Sequence, residues 1–258
     1  MIIDARVRPP YKSLQQVLAP TPGARPAVKR SPLVSGYERP PSMTQKSLEL
    51  FMAEMDDAGI HKAILVGRQA GHRMVSNDDI AELRDTYPDR FPVALAGING
   101  SDLVVALHEI ERSITDLGCQ GIAVDPGWWV PPFYVDDKRL YPLYKRCAEL
   151  GGVLYLTCSL MQGQYPVLAE PFRIQRVAND FPTLRIVVVH GAFPFTHEML
   201  GVMIANASLG NLWVLPDFFQ FIPGVPRRSG LGRCRELLPR RSDTLCLVVP
   251  GATLEAES

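Results

Sequence analysis

Apolar residues fall along this chain in short β-branched runs, separated by longer stretches in which they recur every three or four positions. The run LRIVVVHGAFPF at 184–195 is the clearest of them. Its length and its valine and isoleucine content predict a strand buried on both faces, the pattern of a parallel sheet covered by helices. Comparable runs stand at 2–7, 63–66, 93–98, 121–124, 153–156, 212–215 and 244–249.

Helical periodicity fills the intervals. Ser42, Met43 and Thr44 open a stretch with Leu48, Phe51, Met52 and Met55 at helical spacing, which Gly59 stops. Asn77 or Asp78 caps a helix through Leu83, and Ser101 and Asp102 start one over 103–117 that Gly118 ends. Asp136 and Asp137 begin a helix carrying Leu140, Leu143, Tyr144, Cys147 and Leu150, and two more patterns cover 166–179 and 196–209. Strands alternating with helices in this way predict a single-domain (β/α)8 TIM-type barrel over 1–258. A doubly wound open sheet usually carries a GxGxxG turn after its first strand, and that turn is absent.

Two stretches break the rhythm. Residues 20–41 turn to proline, arginine, serine and glycine without a hydrophobic period, which predicts a long loop. The aromatic, proline-rich segment 128–134 predicts a loop over the barrel mouth, its rings either touching a substrate or packing.

Composition narrows the function classes. With 47% apolar and 21% charged residues the chain reads as an ordinary globular domain, and a formal net charge of zero gives no field to attract nucleic acid or an anionic membrane. Its five cysteines form no CxxC pair, which argues against a disulfide framework and a structural zinc site. Asp4 and Arg6 stand where a signal peptide needs its apolar segment, and no apolar stretch approaches the roughly 18 residues of a membrane span. The expectation is a cytoplasmic protein.

The candidate chemistry sits at strand ends. His190 closes the 184–189 run, and the C-terminal ends of barrel strands are where catalytic side chains project. A period of two places Asp4, Arg6 and Arg8 on one side of the first strand. Asp125 and Thr157 close the fourth and fifth strands, and Asp217 follows the seventh, where a carboxylate near His190 would orient its imidazole.

Four stretches, IIDARVRPP at the start, MDDAGIHKAILVG at 55–67, DDKRLYPLYKRCAELGG at 136–152 and FPTLRIVVVHGAFPF at 181–195, resemble the amidohydrolase-related family, which includes aminocarboxymuconate-semialdehyde decarboxylase-like enzymes. The resemblance implies a β/α barrel holding one divalent metal, typically zinc. Its ligands would be an HxH pair on strand one, a histidine after strand five and an aspartate after strand eight, with the strand-six histidine beside the metal. Here Arg6 and Arg8 replace the pair, Thr157 the third histidine and Val248 the aspartate, and only His190 remains. A guanidinium has no lone pair to give, so no metal is expected at the usual place. A metal held by His190, Asp217 and Asp4 is a different arrangement.

Two readings of the arginines stay open. Arg6 and Arg8 either grip a carboxylated substrate, with Thr157 and Asp125 among its contacts and His190 and Asp217 as catalytic groups, or they are neutralised by Asp4, Asp125 or Asp217 in a buried ion network. The first makes the protein a hydrolase or carboxy-lyase acting on a small carboxylate. The competing class is an inactive barrel, a family member without its metal that binds a ligand or partner.

The end of the chain departs from the pattern. RRSGLGRCRELLPRR at 227–241 is strongly basic without an amphipathic period, where a covering helix is due, and only GATLEAES follows the last predicted strand. A shifted reading frame or truncation across this region is the expectation, with exposed strand surface favouring homo-oligomers.

Overall fold

A computed structural model describes residues 1–18, 40–71, 73–159 and 165–216. The 244–249 run, the basic segment and Asp217 lie outside these residues, as does most of the 20–41 loop.

Seven parallel strands form one sheet: β1 (Ile2–Val7), β2 (Ile60–Val66), β5 (Val93–Ile98), β6 (Gly121–Val124), β7 (Val153–Thr157), β8 (Arg185–Val189) and β9 (Leu212–Leu215), hydrogen-bonded in that order. The short hairpin β3 (Gln69–Ala70) and β4 (Arg73–Met74) branches off after β2. The helices α2 (Leu48–Asp57), α3 (Asn77–Thr86), α4 (Leu103–Thr115), α5 (Tyr141–Glu149), α6 (Pro171–Asp180) and α7 (Thr196–Ala205) connect successive strands.

Alternate strand residues divide between two cores. Ala63, Leu65, Ala94, Ala96, Ile122, Leu154, Ile186 and Val188 pack outward against the helices, while Val66, Leu95, Ala123, Tyr155, Val187 and Leu215 form a separate inner cluster with Ala5. The inner cluster exists because the sheet curls. The Tyr155 hydroxyl on β7 donates to the Ala5 carbonyl on β1 at 3.3 Å, although four strand spacings of about 4.8 Å would separate them in a flat sheet. The fold is that of a TIM-type barrel wall with helices outside.

Local differences from the periodicity have local causes. The predicted helix from Ser42 is two: α1 (Pro41–Gln45) ends where Lys46 turns left-handed, and α2 restarts with the Ser47 hydroxyl accepting from the Leu50 N–H. The helix expected from Asp136 begins as a 3₁₀ turn, Lys138–Leu140, because the Asp137 carboxylate takes the Arg139 N–H. β2 begins three residues before the apolar run, with His61 exposed.

Candidate functional site

The C-terminal strand ends gather Arg6, Arg8, Arg68, Asp125, Thr157 and His190. Their placement starts from an irregularity in β1. Asp4 pairs with Ala63 and Val7 with Leu65, so three steps along β1 match two along β2. This bulge breaks the strict alternation expected for Asp4, Arg6 and Arg8. Ala5 joins the inner cluster and Val7 the outer one, while the Asp4 carboxylate accepts the Arg6 backbone N–H at 3.0 Å. Arg8 is anchored by its own fork, Nη2 donating to the Gly67 carbonyl at 3.0 Å.

Arg68 completes the group, and no sequence motif marks it. It follows β2 directly and is only 8% exposed. Its backbone lies against the next strand at a contact that tolerates no side chain. A Cβ on Gly97 would sit 2.4 Å from the Arg68 nitrogen, and one on Gly67 would sit 2.2 Å from the Gly97 nitrogen. The Asn77 side chain fixes Gly97 from the other side, accepting its N–H at 2.8 Å and donating to its carbonyl at 3.0 Å.

Asp125 is the carboxylate these cations share. It is 1% exposed, and its Oδ1 lies 3.7 Å from Arg68 Nη2, an ion pair slightly longer than a hydrogen bond. Burial pushes its carboxyl up, but Arg68, Arg8, Arg6 and a hydrogen bond with Thr157 outweigh burial and hold it below the usual carboxylate range. Burial lowers Arg6 to about 10 despite Asp125, with Arg68 pushing the same way. Asp125 thus lies in the field of all three guanidiniums, and Thr157 is engaged with Asp125.

Donors and an acceptor alike are left unmatched. Among the described residues, Arg6 Nε, Arg68 Nε and Trp128 Nε1 are buried without an acceptor, and Asp125 Oδ1 without a hydrogen-bond donor. A buried donor left unmatched costs about 1–3 kcal/mol, so the mouth is set to receive a ligand rich in oxygen acceptors.

His190 sits in a turn that L-residues seldom adopt. His190, Gly191 and Ala192 have φ of 69°, 60° and 54°, forming the 3₁₀ turn His190–Ala192 straight after β8. Only glycine enters this region without steric cost, and such strain gathers at functional sites. The imidazole is 7% exposed. Burial first, then Arg6, Arg8 and Arg68, hold it well below the ordinary histidine value, so it is neutral at pH 7.

The aromatic segment divides. Trp129 packs in the outer core against Phe133 at 6.0 Å, and its Nε1 donates to the Gln69 carbonyl. Phe133 lies under Arg139 and Tyr134 under Arg173. Only Trp128 faces the charged group, with the Arg68 guanidinium 5.5 Å from its ring centroid.

The family-type metal does not fit this donor set. Arg6 and Arg8 occupy the first-strand ligand positions, and guanidiniums cannot coordinate. Zinc takes three or four N, S or O ligands, and among the described residues no three His, Cys, Asp or Glu side chains converge. The described residues also contain no helix long and apolar enough to cross a membrane.

Comparison with known proteins agrees with this architecture. The amidohydrolase family model matches residues 3–241. The chain is 34% identical to an uncharacterised TIM-barrel protein from Bordetella bronchiseptica, covering 83% of this chain and 74% of that one with a TM-score of 0.73. It is 28% identical over 167 residues to 2-keto-4-carboxy-3-hexenedioate hydratase of a Sphingobium species, and 27% identical over 139 residues to 2-amino-3-carboxymuconate-6-semialdehyde decarboxylase of Dictyostelium discoideum. These matches cover 55% and 46% of this chain, and 48% and 38% of those relatives' lengths.

Proposed function

This chain belongs to the amidohydrolase family, and on that footing we propose that it is an enzyme that activates water against a small carboxylated substrate. Arg6 and Arg8 hold the substrate carboxylate, and His190 is the general base. The observation that carries the reading is a neutral imidazole, buried in a strained turn, under the field of three guanidiniums, with Arg6 Nε and Arg68 Nε lacking an acceptor among the described residues.

In the hydrolytic cycle His190 takes a proton from water as its oxygen bonds to the substrate carbonyl carbon. The guanidiniums steady the developing oxyanion. On collapse the leaving oxygen takes the proton back from His190. A base held far below neutrality is weak, but the bound carboxylate offsets the guanidiniums and lets the imidazole pKa rise when the substrate is present. The decarboxylating alternative asks His190 to donate a proton, for which a neutral imidazole is poorly suited. The hydratase and decarboxylase activities in the relatives' names support chemistry on small carboxylates.

A pair of chromogenic esters tests this. Mono-4-nitrophenyl succinate carries a carboxylate and 4-nitrophenyl acetate does not. The expected result is a kcat/KM at least about tenfold higher for the charged ester, with Arg6→Met slowing both esters through the oxyanion and raising KM for the charged one alone. Equal rates for both esters would reject the carboxylate grip. Binding of succinate without turnover of either ester would make the protein a non-catalytic binder.

A further inference from the structure

We infer that Arg68 and Trp128 form a second carboxylate subsite, so that the substrate is a dicarboxylate. The inference rests on the reading of Arg6 and Arg8 as the first carboxylate's partners and extends it to a pair of residues that neither the sequence motifs nor the relatives single out.

Arg68 is a built feature. Its position is fixed by the close backbone contact of Gly67, Gly97 and Arg68 itself and by the double hydrogen bond from Asn77 to Gly97. Its partner Asp125 stands 3.7 Å away at Oδ1, which leaves Arg68 Nε without an acceptor among the described residues. Trp128 lies beside the guanidinium, and its buried Nε1 also lacks one. A guanidinium 5.5 Å from the centroid of an indole ring whose N–H is also unmatched offers donors from two groups to the two oxygens of a carboxylate, each able to accept more than one hydrogen bond.

Both groups are donors only, so an incoming carboxylate meets no competing acceptor on them. One carboxylate on Arg6 and Arg8 leaves Arg68 and Trp128 unsatisfied. A second satisfies them.

Calorimetric titration of the full chain with matched acids tests the subsite: glutarate against butyrate, and isophthalate against benzoate. At least one dicarboxylate is expected to bind about tenfold or more tightly than its monocarboxylate. Arg68→Met is expected to erase that advantage and leave monocarboxylate affinity within about twofold. Trp128→Phe keeps the ring and removes only the N–H, so it guards against a folding defect and is expected to weaken dicarboxylates alone, by about threefold to tenfold. If both classes bind with no dicarboxylate advantage, or if the variants weaken both equally, the second subsite is wrong and the first stands. If neither class binds, both readings fall.

Discussion

Replacing Asp125 by asparagine removes the carboxylate that Arg6, Arg8 and Arg68 share while preserving its shape. At 3.7 Å from Arg68 and an effective dielectric of about 20, the gross attraction of that pair alone is about 4 kcal/mol. Arg8 and Arg6 add to it, and the desolvation of the carboxylate, which asparagine avoids, subtracts. Breaking a buried ion pair from one side costs about 3–5 kcal/mol. Asparagine can still bond Thr157, which places the expected loss near the lower end, about 3 kcal/mol. For a domain of this size each kcal/mol moves Tm by about 2–4 °C, so Asp125→Asn should melt about 6–12 °C below the parent. Urea unfolding at neutral pH should show a lower midpoint with an unchanged slope. Added glutarate should raise the variant's Tm more than the parent's, because an anion restores the missing charge. A loss below about 1 kcal/mol would mean that the guanidiniums are balanced by something other than Asp125, and the electrostatic account of the site would fail.

Other consequences follow from the same geometry. His190 is held below its ordinary value by burial and by Arg6, Arg8 and Arg68, so below about pH 6.5 the unfolded chain binds a proton that the folded chain refuses; its contribution is complete above that range and falls as pH drops. Between pH 7.5 and 5.5 this removes at most about 1.4 kcal/mol, and His190→Gln should lack that component when the two proteins are unfolded in urea at both pH values; parallel losses would contradict the shift. Gly97→Ala places a methyl 2.4 Å from the Arg68 nitrogen and should cost about 3 kcal/mol, whereas the same change at the unobstructed Gly201, inside α7, should raise the urea midpoint by the equivalent of about 0.5–1 kcal/mol. Tyr155→Phe removes the bond to Ala5 and should cost about 1 kcal/mol, read as a lower Tm; an unchanged Tm would show that this cross-barrel contact contributes nothing.

Much of the wall was legible because buried parallel strands leave unbroken apolar runs. The runs at 121–124 and 212–215 coincide with β6 and β9, and the end of the 184–189 run locates His190 at the mouth. The β1 bulge was not legible. One extra residue in IIDARV changes which side chains face inward, yet every residue there is compatible with either register. Arg68 escaped notice for a related reason: a single arginine after a strand carries no pattern, and only the Gly67–Gly97 contact across two strands reveals that its place is fixed. Trp128 and Trp129 are adjacent and chemically identical, so which one faces the charges depends on tertiary packing alone.

The most direct test of the central claim is the turnover of mono-4-nitrophenyl succinate by His190→Asn, measured beside the affinity of the same variant for succinate. The account predicts that kcat falls by about 100-fold or more while succinate binds as tightly as in the parent. Turnover that survives the substitution would contradict His190 as the base.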